Sequence, residues 1–113
     1  MNIDDLTLGE IKQLRGLFGN GDVPAPSHPY EIGKNYFLRT VTHHLTGKLV
    51  EVHAQELVLT DAAWIADDGV FSEAMLTGAF NEVEPLPEGK HIVGRASLID
   101  ARAVSFALPR SKK

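Results

Sequence analysis

No cysteine occurs in the 113 residues. That excludes a disulfide scaffold, a thiolate metal site and thiol catalysis. Aromatic residues are scarce at 7%, with one tryptophan, Trp64. No apolar run approaches the roughly 18 residues that a membrane-spanning helix needs, so no membrane partner is expected. Positive charge is not in excess either. Eleven Lys and Arg stand against 15 Asp and Glu, for a net charge of −4 and a pI near 5.7. Binding to duplex nucleic acid rests on clustered positive charge, so a duplex is not an expected partner. The opening Met1-Asn2-Ile3-Asp4-Asp5 is acidic and lacks the apolar core of a signal peptide.

What is present is an ordinary globular composition, 43% hydrophobic and 23% charged, enough for one core. The first segment, 1–19, reads as a short helix. Thr7 and Glu10 form a capping box, and Leu8, Ile11, Leu14, Leu17 and Phe18 recur at helical spacing before Gly19. A helix of about 11 residues is unstable alone in water, so its apolar face must dock on something. Residues 20–31 hold Pro24, Pro26 and Pro29 and read as a semi-rigid linker. The helix is therefore expected at the end of an arm.

Residues 32–113 read as mainly β. Strands are predicted over 36–45, 48–53 and 56–61, with Ala62 to Gly69 as the end of the third strand running into a loop, and with tight turns at Thr46-Gly47 and Ala54-Gln55. A meander of this kind must bury one face, which predicts closure into a small β-barrel. A short helix over 70–77 is predicted, capped by Asp68 and ended by Gly78. Then come a short strand at 81–84, final strand pieces over 90–94 and 96–101 with a bend at Gly94-Arg95, and an extended tail.

Chemistry is thinly represented. His43 and His44 are adjacent, so on a strand they point to opposite faces, and no His spacing suits a metal. Asp61, Asp67 and Asp68 fit no cation-binding loop. There is no Gly-x-Ser-x-Gly elbow and no phosphate loop. No cofactor is expected. Arg39 shares a strand face with Phe37 and Val41. It can be a core residue paired to Asp61, a solvent-face residue, or an interface residue. Trp64, among small neighbours, either plugs the core or anchors an interface.

The run Ile32-Gly33-Lys34-Asn35-Tyr36-Phe37-Leu38-Arg39-Thr40-Val41-Thr42, with Thr46-Gly47-Lys48-Leu49-Val50 and Glu56 to Asp67, resembles a family of short proteins encoded by bacteriophages and prophages. Asn81-Glu82-Val83-Glu84-Pro85 and Leu108-Pro109-Arg110 extend the likeness over residues 31 to 110. The resemblance implies a phage origin, located in the bacterial host cytoplasm or the phage particle, and brings no catalytic residues. The strand pattern is also similar to SH3-like and Sm-like small barrels, although the Arg-Gly pair usual in Sm RNA binding is reversed here as Gly94-Arg95. The expectation is thus a non-enzymatic virion structural component, of capsid-stabilising or connector type. It would act through protein–protein contacts with copies of itself or other phage proteins, with Leu8, Ile11, Leu14, Phe18 and Trp64 as interface candidates. The alternative is a ring-forming Sm-like module holding RNA, a nucleotide or a small signalling molecule with Arg39, His43 and Arg95.

Overall fold

The computed structural model describes residues 28–113. The expected N-terminal helix, with Leu8, Ile11, Leu14 and Phe18, lies outside the described residues, as does the linker up to residue 27. The described elements are β1 (Asn35–Thr40), β2 (His44–Val52), β3 (Glu56–Asp67), α1 (Phe71–Thr77), β4 (Glu82–Pro85), β5 (His91–Gly94), a 3-10 turn (Arg95–Ser97) and β6 (Leu98–Val104). They form a mainly β domain. One antiparallel sheet runs in the order β4-β3-β2-β1-β6, with β5 also paired to β3.

The first turn falls at 41–43 rather than at Thr46-Gly47. The Thr40 hydroxyl makes it: it donates to the His43 carbonyl (2.7 Å) and accepts from the backbone N–H groups of Thr42 (3.3 Å) and His43 (3.0 Å). A threonine side chain that supplies a turn's hydrogen bonds removes the need for glycine there. Gly47 instead sits inside β2, opposite Tyr36. A Cβ on it would lie 3.0 Å from the Leu59 side chain, so it is a packing glycine.

β3 bends and continues to Asp67. Asp61 takes φ 51, a left-handed value few non-glycine residues adopt. Before the bend, Glu56 to Leu59 pair with β5; after it, Ala63 to Asp67 pair with β4. Between them the Ala62 carbonyl is held by the Leu86 N–H (2.9 Å) and by Arg110 Nη1 (3.2 Å). One long strand thus serves two short partners on the same side.

The expected closed barrel is not formed. β5 and β6 share no ladder. The chain between them coils into the 3-10 turn, whose backbone is engaged elsewhere: the Arg95 N–H donates to the Gln55 carbonyl, and the Ser97 carbonyl accepts from the Val41 N–H. The sheet is left open along that seam.

Both faces of the sheet are covered, and the period-2 alternation of β1 serves both. Tyr36 and Leu38 join Leu45, Leu49, Leu57, Leu59 and Val93 on one face. Phe37 turns to the other, where Ala63, Ile65, Ala74, Phe80 and Val83 bury against it. This second face is closed by α1 and by the chain's last residues. α1 begins after Val70 with no side-chain cap and ends at Gly78, φ 76, whose N–H reaches the Ala74 carbonyl. The expected cap, Asp68, is used elsewhere. At the far end Lys113 exchanges backbone hydrogen bonds with Val83 (2.9 and 3.1 Å), adding one bridge outside β4. Among the described residues no helix is long and apolar enough to cross a membrane.

Candidate interaction site

The densest group of charged and aromatic side chains lies on the Phe37 face, at the end of β1. Register puts Arg39 between His44 on β2 and Asp100 on β6. Arg39 Nε donates to Asp100 Oδ1 at 2.8 Å, and Nη2 donates to the other carboxylate oxygen, a two-point pairing. The hydrogen bonds from Arg39 hold the Asp100 carboxyl below the usual aspartate range, and the same pair raises the guanidinium further. On the other side of Arg39, His44 Nδ1 stands 2.9 Å from both oxygens of Asp68. Two pairs, Asp100 with Arg39 and His44 with Asp68, thus lie side by side across three strands and the loop after β3.

Aromatic rings floor and flank this row. The Arg39 guanidinium lies over the Phe71 ring at 5.3 Å, a cation–π contact. Phe37 meets His44 and Phe71 edge-on, at 5.5 and 6.1 Å between centroids. α1 is what carries Phe71 to this place, which explains why so short a helix matters: Ala74 plants it on the sheet while Phe71 stays 45% exposed at its start.

Exposed apolar side chains neighbour the row along the chain. Val41, two residues beyond Arg39, is 72% exposed, and Ile99, next to Asp100, is 65% exposed. Ile99 is the extra residue of a bulge, because β1 pairs Arg39 with Asp100 but Thr40 with Leu98. Bulges re-aim side chains at sheet edges. Val70 adds a further exposed apolar group beside Phe71.

The sequence candidates do not converge. Arg39 pairs with Asp100, not Asp61; Asp61 is exposed at the bend of β3. His43 closes the first turn. It lines the open seam, a cleft of about 250 Å³, with Thr40, Thr42, His91 and Ser97. There burial and the nearby His43 push the His91 imidazole below its usual range. The cleft's hydroxyls are already engaged, Thr42 Oγ1 with His43 Nδ1 at 2.7 Å and Ser97 Oγ with the Gly94 carbonyl at 2.7 Å. Arg95 is a staple: Nη1 donates to the His53 carbonyl (2.8 Å) across the β2–β3 turn, and its guanidinium lies 5.3 Å from the Tyr30 ring centre. Trp64 is 40% exposed and pairs with Leu45 and Glu84, so it is a partly uncovered residue rather than a plug.

Asp100, Asp68 and Phe71 were not legible as site residues. Asp100 is 61 positions from Arg39, and only the pairing of first with last strand joins them. Asp68 has the spacing of a helix cap, and that reading masks its service to His44. Among the described residues no three His, Asp or Glu side chains gather as a metal site requires. In comparisons with known proteins, the chain matches no family model and no curated protein.

Proposed function

We propose that this chain is a non-enzymatic assembly protein of a bacteriophage, a small virion component of capsid-stabilising or connector type. It works by protein–protein contact, with copies of itself and other structural proteins as partners. The observation that carries this reading is the exposed Phe71 ring beneath the Arg39 guanidinium, itself paired to Asp100, with Val41 and Ile99 exposed nearby along their chain segments. Exposed apolar groups clustered about an arginine are the composition of an interface core, where Arg and aromatic residues are enriched. A pocket suited to a small substrate is enclosed and apolar with a few convergent polar groups. The seam cleft has apolar lining from Leu45, Ile92 and Val93, but it is open and its hydroxyls are bonded internally.

The test is molar mass by light scattering after size exclusion, on the full chain and on Val41→Asp/Phe71→Asp. A wild-type mass above one chain that falls in the variant supports this face as an assembly surface. An unchanged multimer moves the contact elsewhere, and Leu8→Asp/Leu14→Asp then asks whether the N-terminal segment supplies it.

A second reading is an SH3-like or Sm-like module that forms rings and holds RNA, a nucleotide or a small signalling molecule. What favours it is the strand path: a three-stranded meander, and a 3-10 turn delivering the last strand to the first. Absorbance at 260 nm in the purified protein, or a thermal shift with nucleotides, would support it. A clean 280 nm spectrum and no shift would count against it.

A further inference from the structure

We propose that β6 is a self-pairing edge: two copies of this chain join through their β6 strands, antiparallel about a two-fold axis at Ala101. The proposal rests on the assembly reading and names its partner and its register. Three independent features lead to it.

The first is the open edge. β6 pairs with β1 on one side, and no described strand pairs with the other. Edge strands are normally blunted by charged side chains, lysine above all, by proline or by a bulge, and β6 carries its charges as one acid and one base that can complement each other. Leu98-Ile99-Asp100-Ala101-Arg102-Ala103-Val104 contains neither proline nor lysine, and its bulge lies towards one end, leaving 100–104 regular.

The second is the phase of the backbone. The Thr40 N–H points to β2, where it reaches the His43 carbonyl, and the Val41 N–H points the other way, to Ser97. Alternation then turns the backbone groups of Arg39, Phe37 and Asn35 towards β6, and these residues pair with Asp100, Arg102 and Val104. Ala101 and Ala103 are left presenting N–H and C=O to the free edge. Pairing Ala101 with Ala101 of the partner subunit puts these groups together as a hydrogen-bonded pair.

The third is charge, which selects the register. Asp100 and Arg102 lie across from Arg39 and Phe37 and so share the Phe37 face, at whose margin both are exposed. Pairing centred on Ala101 sets Asp100 opposite the partner's Arg102, and Arg102 opposite the partner's Asp100. These are non-hydrogen-bonded positions, where Cα atoms approach to about 4.5 Å and side chains touch. Centring the axis on Asp100 opposes two aspartates, and centring it on Arg102 opposes two arginines. Among the described residues Arg102 makes no ion pair, whereas Asp100 is already held in place by Arg39. The dimer gives Arg102 a carboxylate that is positioned in advance. Ala101 places no bulk beside the approaching strand, and the regular pairing spans residues 100–102, since Ala103 stands opposite the partner's Ile99 at the bulge.

The experiment is a charge swap on the full chain, read by light scattering and sedimentation. Arg102→Glu places Glu across from the partner's Asp100, and Asp100→Arg places Arg across from the partner's Arg102. Each change counts twice across the two-fold axis and weakens self-association by about tenfold or more. Both positions are exposed, and circular dichroism checks that each variant is folded. The expected result is a dimeric wild type, two variants that run as single chains, and a dimer restored when the variants are mixed in equal amounts. Loss of the dimer in both variants selects the Ala101 register, because a register centred on Asp100 is untouched by Arg102→Glu and one centred on Arg102 still opposes two arginines in Asp100→Arg; the rescue shows that the two charges meet across the edge. If both variants stay as associated as the wild type, or if the mixture stays monomeric, the edge proposal is overturned while assembly through the Phe71 face stands. A wild type that is a single chain at its highest soluble concentration overturns the edge proposal and self-association together, leaving only assembly with a different protein.

Discussion

Phe80 lies stacked on Phe37, with ring planes 14° from parallel and centroids 5.8 Å apart. Phe37 comes from the middle of the first strand and Phe80 from the chain just after α1. Each is 1% exposed. Phe106 meets the far side of Phe80 edge-on at 5.7 Å. Three segments distant in sequence are tied at this point, and the stack is the core of the face that carries the candidate site. Phe80→Ala should therefore destabilise the domain by about 3–5 kcal/mol, as removal of a fully buried phenylalanine does. Urea unfolding would measure it, and an effect below about 1 kcal/mol would show that this face is loosely packed.

Gly78 and Gly33 both hold left-handed backbone, φ 76 and φ 93, but in different surroundings. A Cβ at Gly78 would lie 2.7 Å from the Phe106 ring, whereas one at Gly33 would meet nothing within 4 Å. Gly33→Ala should cost only the conformational penalty, about 1–2 kcal/mol. Gly78→Ala should cost more, since Phe106 must also leave the Phe80 ring. Melting temperatures of the two variants, compared side by side, give the order; equal shifts would mean that Phe106 moves freely.

The Thr46 hydroxyl is buried on β2 without a protein hydrogen-bond partner among the described residues. A valine has the same shape and no group to satisfy. Thr46→Val should therefore be neutral or stabilising by about 1 kcal/mol, the reverse of the usual cost of altering a fully buried residue. A loss of stability in denaturant titration would contradict this.

His91 is pushed below its usual pKa of 6.5, by burial first and by His43 second. The unfolded chain then takes up a proton more readily than the folded one. The neutral form's contribution to stability is complete above about pH 6.5 and is lost as the pH falls through the lowered folded value. His91→Gln removes this dependence, so its melting temperature should fall less than that of the wild type between pH 7 and pH 5. Parallel curves would locate the acid sensitivity elsewhere. The Arg39–Asp100 pair belongs to a lower window: with Asp100 held below its usual 3.8, its contribution persists above that value and is lost only in stronger acid.

Strand identity was legible from β-branched and aromatic residues, and so were the turn at Ala54-Gln55, the helix ended by Gly78 and the bend at Gly94-Arg95. Each depends on local chemistry. The first turn was placed wrongly because Thr46-Gly47 resembles a turn in isolation. Only the approach of Leu59, from another strand, shows why glycine is needed there. The run from Ala62 reads as the end of the third strand, but the bend at Asp61 and the split of its partner into β4 and β5 have no signal in spacing. The candidate site was half legible. Arg39 stood out as an arginine sharing a face with phenylalanine, but its partner was sought on the meander. The true one, Asp100, is brought by the return of the chain's last strand.

That return also has a consequence in time. β1, β2 and β3 follow one another through short turns, and their pairing closes small loops. β1 and β6 are joined only after about 60 residues have been looped out, a slower closure with a larger entropic cost. Until β6 arrives, β1 carries the open edge, with Phe37 and Arg39 beside it. A nascent chain that has not yet released β6 presents that edge to its surroundings. The same backbone pairing that would join two finished copies could then be satisfied by the wrong strand, and the order of synthesis makes β6 the guard that comes last.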